Sequence, residues 1–182
     1  GEETSVTFSV DGKLVYDLNM RLTMDEPDFF AFVDMSRFLG QDVIIAAEGS
    51  QLPAVDQADD WDERAPLDAD RRPLLHFAPR NGWNNDPNGL VYYKGYYHVF
   101  YQHAPHFETP WQEPMHWGHA RTKNYIEWEE LPVALAPDAP FDSFGCWSGT
   151  AIVKEDVLYL FYASLYIPEG EKDPLQTVSI AY

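Results

Sequence analysis

The chain has 182 residues, of which 45% are hydrophobic and 15% aromatic, and this content is enough to build a core. Its formal net charge of -18, with only 12 lysines and arginines, excludes nucleic acid and anionic membrane surfaces as fitting partners. No apolar run reaches membrane-spanning length, so we expect no membrane insertion. A neutral substrate fits this charge, and the many aromatic rings suit both β-sheets and sugar-binding clefts.

Residues 1–52 are predicted to form a small accessory module, antiparallel and similar to a β-sandwich. Apolar and polar residues alternate over 6–10, which is the period of a half-buried strand. Residues 29–33 and 43–47 are further apolar runs typical of strands. A helix over 29–39 is the competing interpretation, because apolar residues of this stretch could share one helical face, but we prefer strands.

An acidic segment over 53–72 is predicted to be a linker, since it contains two prolines and no apolar periodicity. The first residues of the chain lack the basic and apolar regions of a signal peptide. The lone Cys146 rules out an intrachain disulfide and leaves the redox compartment open. We slightly favour secretion or a periplasmic location, with a signal removed before this numbering begins, over the cytoplasm. The sequence carries no signal for an oligomeric state.

From residue 73 onward the chain carries a repeated pattern of short strands. Residues 89–101 predict two strands joined at Lys94–Gly95, and residues 149–162 predict nearly the same hairpin with its turn at 154–156. Further strands are predicted at 115–120, 128–131 and 177–182. Four short antiparallel strands per repeat are typical of β-propeller blades, so we predict an all-β fold with about two blades.

Two blades cannot close a ring, and they leave an open edge and an unburied face. We therefore expect the region 73–182 to be the start of a propeller in a longer protein. The alternative is an unrelated antiparallel sandwich that closes within 182 residues.

The stretch 83–89, which reads Trp-Asn-Asn-Asp-Pro-Asn-Gly, sets one carboxylate among amides and an indole. Pro87 disfavours the helical region for the residue before it, so Asp86 is predicted to be extended. Asn88–Gly89 is a strong tight-turn signal. A fixed acid flanked by amides and walled by Trp83 is what sugar chemistry needs, although a plain turn gives the same pattern.

Five of the six histidines are close in sequence, which makes them candidate metal ligands. They are His98, His103, His106, His116 and His119. No cysteine or glutamate stands at zinc spacing beside them, and their segments read as strands and loops. We prefer hydrogen-bonded polar residues as the interpretation, and we predict no metal and no cofactor.

The ordered motifs from residue 76 onward resemble the start of the catalytic domain of glycoside hydrolase family 32. That family contains invertases, levanases, inulinases and related β-fructosidases. The matching segments are 76–79 (His-Phe-Ala-Pro), 82–89, 100–105 (Phe-Tyr-Gln-His-Ala-Pro), 117–120 (Trp-Gly-His-Ala), 128, 131–135 and 147–150 (Trp-Ser-Gly-Thr). They follow the family's order and spacing over residues 76–182.

The resemblance implies a five-bladed β-propeller with the active site in its central funnel, a retaining mechanism, and a fructose-containing oligo- or polysaccharide as substrate. It assigns Asp86 as the nucleophile. It assigns seven residues to the substrate-binding subsite and its walls, namely Trp83, Asn85, Gln102, Trp111, Trp117, Trp147 and Ser148. The chain departs from the usual pattern at Asn84, where methionine is commoner, and at Trp147, where phenylalanine is commoner.

The family's other two carboxylates are missing from this sequence. One belongs to an Arg-Asp-Pro motif that stabilises the transition state, and the other is the acid/base Glu of a Glu-Cys motif; neither motif occurs here. Retaining hydrolysis needs two carboxyl groups about 5 Å apart. We expect a β-fructosidase acting on sucrose, levan or inulin. The alternatives are a fructosyltransferase of the same family, or a non-catalytic carbohydrate-binding remnant if the chain is complete at 182 residues.

Overall fold

The computed structural model describes residues 3–25, 33, 35–49, 51–53, 55–59, 76–80, 82–106 and 114–182. Within these residues the chain is all-β, with ten strands in three antiparallel sheets, one short 3-10 helix and no α-helix. The strands are β1 Glu3–Val10, β2 Lys13–Arg21, β3 Val43–Ala47, β4 Trp83–Tyr93, β5 Tyr96–Ala104, β6 His116–Thr122, β7 Trp128–Leu135, β8 Gly145–Lys154, β9 Val157–Tyr166 and β10 Leu175–Ala181. No helix in the described ranges is long and apolar enough to cross a membrane.

The N-terminal sheet consists of β1–β3 in the order β2-β1-β3. The predicted alternation over 6–10 is confirmed, because Val6, Phe8 and Val10 are buried while the residues between them are partly exposed. The strand predicted over 43–47 is confirmed as β3.

The region of the predicted strand over 29–33 lies largely outside the described residues. The competing helix over 29–39 shares those residues, and its described end forms the 3-10 helix Ser36–Phe38. The predicted linker over 53–72 lies outside the described residues from residue 60 onward.

The first meander is the four-stranded sheet β4-β5-β6-β7, in which each strand pairs with the next along the chain. The predicted hairpin turn at Lys94–Gly95 is confirmed, with positive φ at both residues, which suits a two-residue loop. The predicted turn at Asn88–Gly89 is wrong. β4 continues through this pair, and Gly89 instead takes its positive φ of 53° beside a register shift between Asn88 and Val91. A bulge uses the same conformational freedom of glycine as a turn.

The second meander is the three-stranded sheet β8-β9-β10. The turn predicted at 154–156 is confirmed, and positive φ falls on Glu155 and Asp156. The two meanders contact each other through β4 and β8. Their shared core is a cluster of Phe100, Trp117, Leu135, Cys146, Ala151, Leu160 and Tyr162. Large aromatic side chains dominate the burial in this cluster.

Arg37, in the 3-10 helix between β2 and β3, contacts the loop before β8. The Arg37 guanidinium lies 3.0 Å from Asp138 Oδ2 and also stacks over the rings of Tyr16 and Phe38. A cavity of about 290 Å³ lies beside this contact. Because the two ion-pair side chains are each 40% exposed, the pair contributes little stability by itself.

Candidate functional site

A bulge in β4 carries the motif predicted to hold the active acid. The register between β4 and β5 shifts by one residue between Asn84 and Pro87, so that Asn85 and Asp86 together lie opposite Gln102. Asp86 is extended within the strand and exposed, and Asn85 is half-buried. Bulges re-aim side chains and are common beside active sites. The carboxylate is therefore presented to solvent from a fixed strand rather than from a mobile turn.

A second bulge of the same kind lies in β8. The register between β8 and β9 shifts between Cys146 and Gly149, so that Trp147 and Ser148 together lie opposite Ala163. Trp147 is half-buried and Ser148 is exposed. β4 and β8 contact each other, so the two bulged segments lie in neighbouring strands of the two meanders.

One side chain is bonded to both bulged segments. Asn88, which is 5% exposed, donates from Nδ2 to the main-chain oxygen of Asp86 at 3.3 Å. Its Oδ1 accepts a hydrogen bond from the Gly149 N–H at 3.1 Å. Sequence reasoning missed this role, because an asparagine before a glycine is a turn signal and nothing local indicates a partner in another sheet.

Two further residues of the predicted site are buried, and their side chains donate hydrogen bonds to main-chain carbonyls. Gln102 is 2% exposed, and its Nε2 donates to the Cys146 carbonyl at 3.2 Å. Trp117 is fully buried, and its indole N–H donates to the Trp147 carbonyl at 2.9 Å. Both side chains thus support the second bulge from the first meander.

The start of β4 is fixed by a buried histidine. His103 Nδ1 lies 2.9 Å from the Trp83 carbonyl, and because a carbonyl only accepts, the ring must donate from Nδ1. Burial lowers the pKa of His103 to about 4, so the ring is neutral at pH 7. Trp83 itself is half-buried at the edge of the motif. Trp111, the remaining predicted subsite residue, lies outside the described residues.

A buried carboxylate organises the turn that leads into β8. Asp142 is 2% exposed and accepts hydrogen bonds from Tyr162 Oη at 2.8 Å and from the Ala139 N–H at 2.9 Å. Burial raises the pKa of Asp142, while these donors work in the opposite direction. Burial also raises the pKa of the Cys146 thiol, which lies 3.8 Å from the same carboxylate. Cys146 is therefore a protonated core residue and a poor nucleophile.

Two glycines make the second bulge possible. A Cβ at Gly149 would collide with the main-chain oxygen of Phe161 and lie 2.7 Å from Tyr162 Cα. Gly145 has a φ of +144°, and a Cβ there would lie 2.7 Å from the indole nitrogen of Trp147. Side chains at these positions would displace the segment that carries Trp147, so glycine is required at both.

Four of the histidines that were candidate metal ligands make hydrogen bonds. His98 Nδ1 lies 2.9 Å from His119 Nε2, and His116 Nδ1 lies 2.8 Å from the Pro114 carbonyl. Burial lowers the pKa of His119 to about 3, so this pair is neutral at pH 7. For His98, His103, His116 and His119 the interpretation as hydrogen-bonded polar residues is confirmed. In the ranges that the structure describes, no three His, Cys, Asp or Glu side chains are grouped as a metal site would require.

Comparison with known proteins gives the same family as the motifs. The family model described as the glycosyl hydrolases family 32 N-terminal domain matches residues 76–182, which is more than half of the chain. The chain therefore belongs to glycosyl hydrolase family 32.

Individual relatives match the same region. A sucrose-6-phosphate hydrolase of Zymomonas mobilis is 51% identical over 96 residues, covering 53% of this chain and 18% of the relative. A levanase of Bacillus subtilis is 52% identical over 89 residues, covering 49% of this chain and 12% of the relative. The crystal structure of fructan 1-exohydrolase IIa from Cichorium intybus matches with a TM-score of 0.53 and 32% identity, over 63% of this chain and 20% of that one. The chain thus spans about a fifth or less of the length of these proteins.

Proposed function

We propose that this chain supplies the nucleophile-bearing part of a retaining β-fructosidase. The observation that carries the proposal is the exposed Asp86 carboxylate, set on a strand bulge beside Asn85 and next to the Trp147–Ser148 bulge. The membership in glycosyl hydrolase family 32 supports it. The two meanders are then neighbouring blades of a five-bladed propeller, with β4 and β8 as the strands nearest the central funnel.

In this mechanism the Asp86 carboxylate attacks the anomeric carbon of the fructosyl unit, and the bond to the leaving oxygen breaks. That oxygen takes a proton from an acid/base group, which later activates water to release fructose. The expected acid/base and transition-state stabiliser have no match in this sequence. The residues here bind the sugar and form the covalent intermediate.

The remaining site residues are assigned by what each can offer a neutral sugar. Trp83 and Trp147 form apolar walls that exclude water. Asn85 and Ser148 offer hydrogen bonds to sugar hydroxyls. Trp111 belongs to the same subsite. Gln102 and Trp117 support the subsite by holding its main chain, since their nitrogen donors are bonded to the Cys146 and Trp147 carbonyls.

The compared proteins are named as a sucrose-6-phosphate hydrolase, a levanase and a fructan exohydrolase. The substrates in these names all contain a fructosyl bond. We therefore propose sucrose or a fructan as the substrate. The charge of -18 fits a neutral sugar better than an anionic ligand.

The test replaces Asp86 with asparagine, a substitution of nearly equal shape, in the full-length protein that carries this chain. Fructose release from sucrose and levan should fall by about 10,000-fold or more, as expected for the loss of a catalytic nucleophile. Asp173→Asn, which changes an exposed carboxylate in the loop before β10, is the control and should retain full activity. Circular dichroism should be unchanged in both variants. Retention of activity by Asp86→Asn would remove Asp86 from this role.

A further inference from the structure

Asn88 is bonded to both bulges, across the boundary between the two meanders. It is 5% exposed, and both ends of its side-chain amide are used. One end donates to the main-chain oxygen of Asp86, and the other accepts from the N–H of Gly149, 61 residues further along the chain. The side chain thus joins the nucleophile's own peptide to the residue that follows Trp147 and Ser148.

The bulges need such a bond because the strand ladders do not define them. The paired registers skip Asn85 and Asp86 in β4, and they skip Trp147 and Ser148 in β8. A bulged residue is left unpaired and the ladder is locally disrupted. The relative position of the two segments therefore depends on bonds from outside their own strand pairs.

The other buried side chains at the boundary act on one bulge only. Gln102 and Trp117 both donate to carbonyls of the second bulge, at Cys146 and Trp147. Asn88 alone, among the described hydrogen bonds at this boundary, contacts the peptide of Asp86 as well.

We propose that Asn88 is a positioning residue for the fructosyl-transfer step, an inference that rests on the function proposed above. By holding the peptides of Asp86 and Gly149 together, it fixes the nucleophile against the Trp147–Ser148 wall of the subsite. It is buried and does not touch the sugar. It acts through the main chain of the residues that do.

Asparagine is suited to this task because its amide offers a donor and an acceptor on one short side chain. Asn88→Asp keeps the acceptor for the Gly149 N–H but sets a carboxylate oxygen against the Asp86 carbonyl. Asn88→Ala removes both bonds. The pair of variants therefore separates the bond to the nucleophile from the bond to the second bulge.

The expected effect is on turnover. A displacement of about 1 Å at reacting atoms can reduce a rate by about 100-fold. We expect kcat to fall by about 10- to 100-fold in Asn88→Asp and at least as much in Asn88→Ala, with KM for sucrose within about threefold of the parent.

The matched control is Tyr93→Phe. Tyr93 lies in the same strand and makes another hydrogen bond between the meanders, from Oη to the Asp156 carbonyl at 2.8 Å, at the opposite end of β4 from the site. If hydrogen bonds between the meanders only stabilise the fold, Tyr93→Phe and the Asn88 variants will differ from the parent protein in melting temperature alone, and their kcat will be unchanged. Under the positioning role, Tyr93→Phe keeps the parent kcat.

The experiment measures kcat and KM in the full-length protein. Circular dichroism gives the folded fraction of each variant, and kcat is calculated per folded molecule. A kcat loss in folded Asn88→Asp, with KM nearly constant and Tyr93→Phe unaffected, supports positioning. A kcat within twofold of the parent in either folded Asn88 variant overturns it. Loss of the native fold in both variants also overturns it, since the role is then structural. Activity in Asp86→Asn would instead overturn the proposed function, so the two failures are distinguishable.

Discussion

The burial of His103 makes a quantitative prediction about stability and pH. Its ring is buried with Nδ1 bonded to the Trp83 carbonyl, and burial lowers its pKa from 6.5 to about 4. Between these two values the unfolded chain binds a proton at this residue and the folded chain does not. The free energy of unfolding must therefore fall as the pH is lowered through this window.

The size of the effect follows from the two pKa values. One proton of difference changes the free energy of unfolding by about 1.4 kcal/mol per pH unit. The contribution of His103 is complete above pH 6.5, falls by about 2 kcal/mol by pH 5, and totals about 3 kcal/mol at pH 4. Well below pH 4 both states bind the proton, and the loss levels off at about 3.4 kcal/mol.

His103→Asn isolates this contribution, because its amide can keep the donor to the Trp83 carbonyl but cannot titrate. Urea unfolding of the parent and the variant is measured from pH 7.5 to 4.5 in the full-length protein that carries this chain. Loss of the packing contacts of the ring lowers the free energy of unfolding of the variant by the same amount at every pH. The difference in unfolding free energy between the two proteins should shrink by about 1.4 kcal/mol per pH unit below 6.5. A difference that stays constant within about 0.5 kcal/mol across this range would refute the neutral, buried state of His103.

Two further predictions concern the second bulge. Gly149→Ala should lower stability by about 2 to 3 kcal/mol, seen as a lower melting temperature, because its Cβ meets the Phe161 oxygen and Tyr162 Cα. Thr150→Ala, at the exposed next position, should change it by less than about 0.5 kcal/mol, and equal effects would contradict the argument. Cys146 should resist iodoacetamide at pH 7.5 in the native protein and react after unfolding, since it is fully buried and its pKa is raised. Rapid labelling of the native chain would show that Cys146 is accessible.

Local pattern was sufficient for the strands and hairpins. Alternation predicted β1, and the Lys94–Gly95 signal predicted the hairpin of β4 and β5. The resemblance of the two hairpins also predicted two similar meanders. These features depend on neighbours within a few residues, which is the range that periodicity and turn chemistry report.

The parts that could not be predicted depend on contacts between sheets. Asn88 reads as a turn residue until Gly149, from another sheet, is placed beside it. Asp142 reads as a loop acid, and no local signal marks its burial or its bond to Tyr162. The burial of Trp117 likewise follows from the packing of β6 against β8, not from its own sequence neighbours.

The bulges explain why a turn signal and a strand occur together in the motif. A bulge needs one residue more than its partner strand, and a glycine or asparagine tolerates the required conformation, so its sequence imitates a turn. Asp86 and Ser148 lie on strands yet outside the paired ladder. Under the proposed function, their geometry depends on buried side chains such as Asn88, which does not reach the sugar. Substitutions at Asn88 should therefore alter turnover, whereas substitutions at Ser148, which faces solvent, should alter sugar binding. A kinetic comparison of the two positions separates support of the site from contact with the sugar.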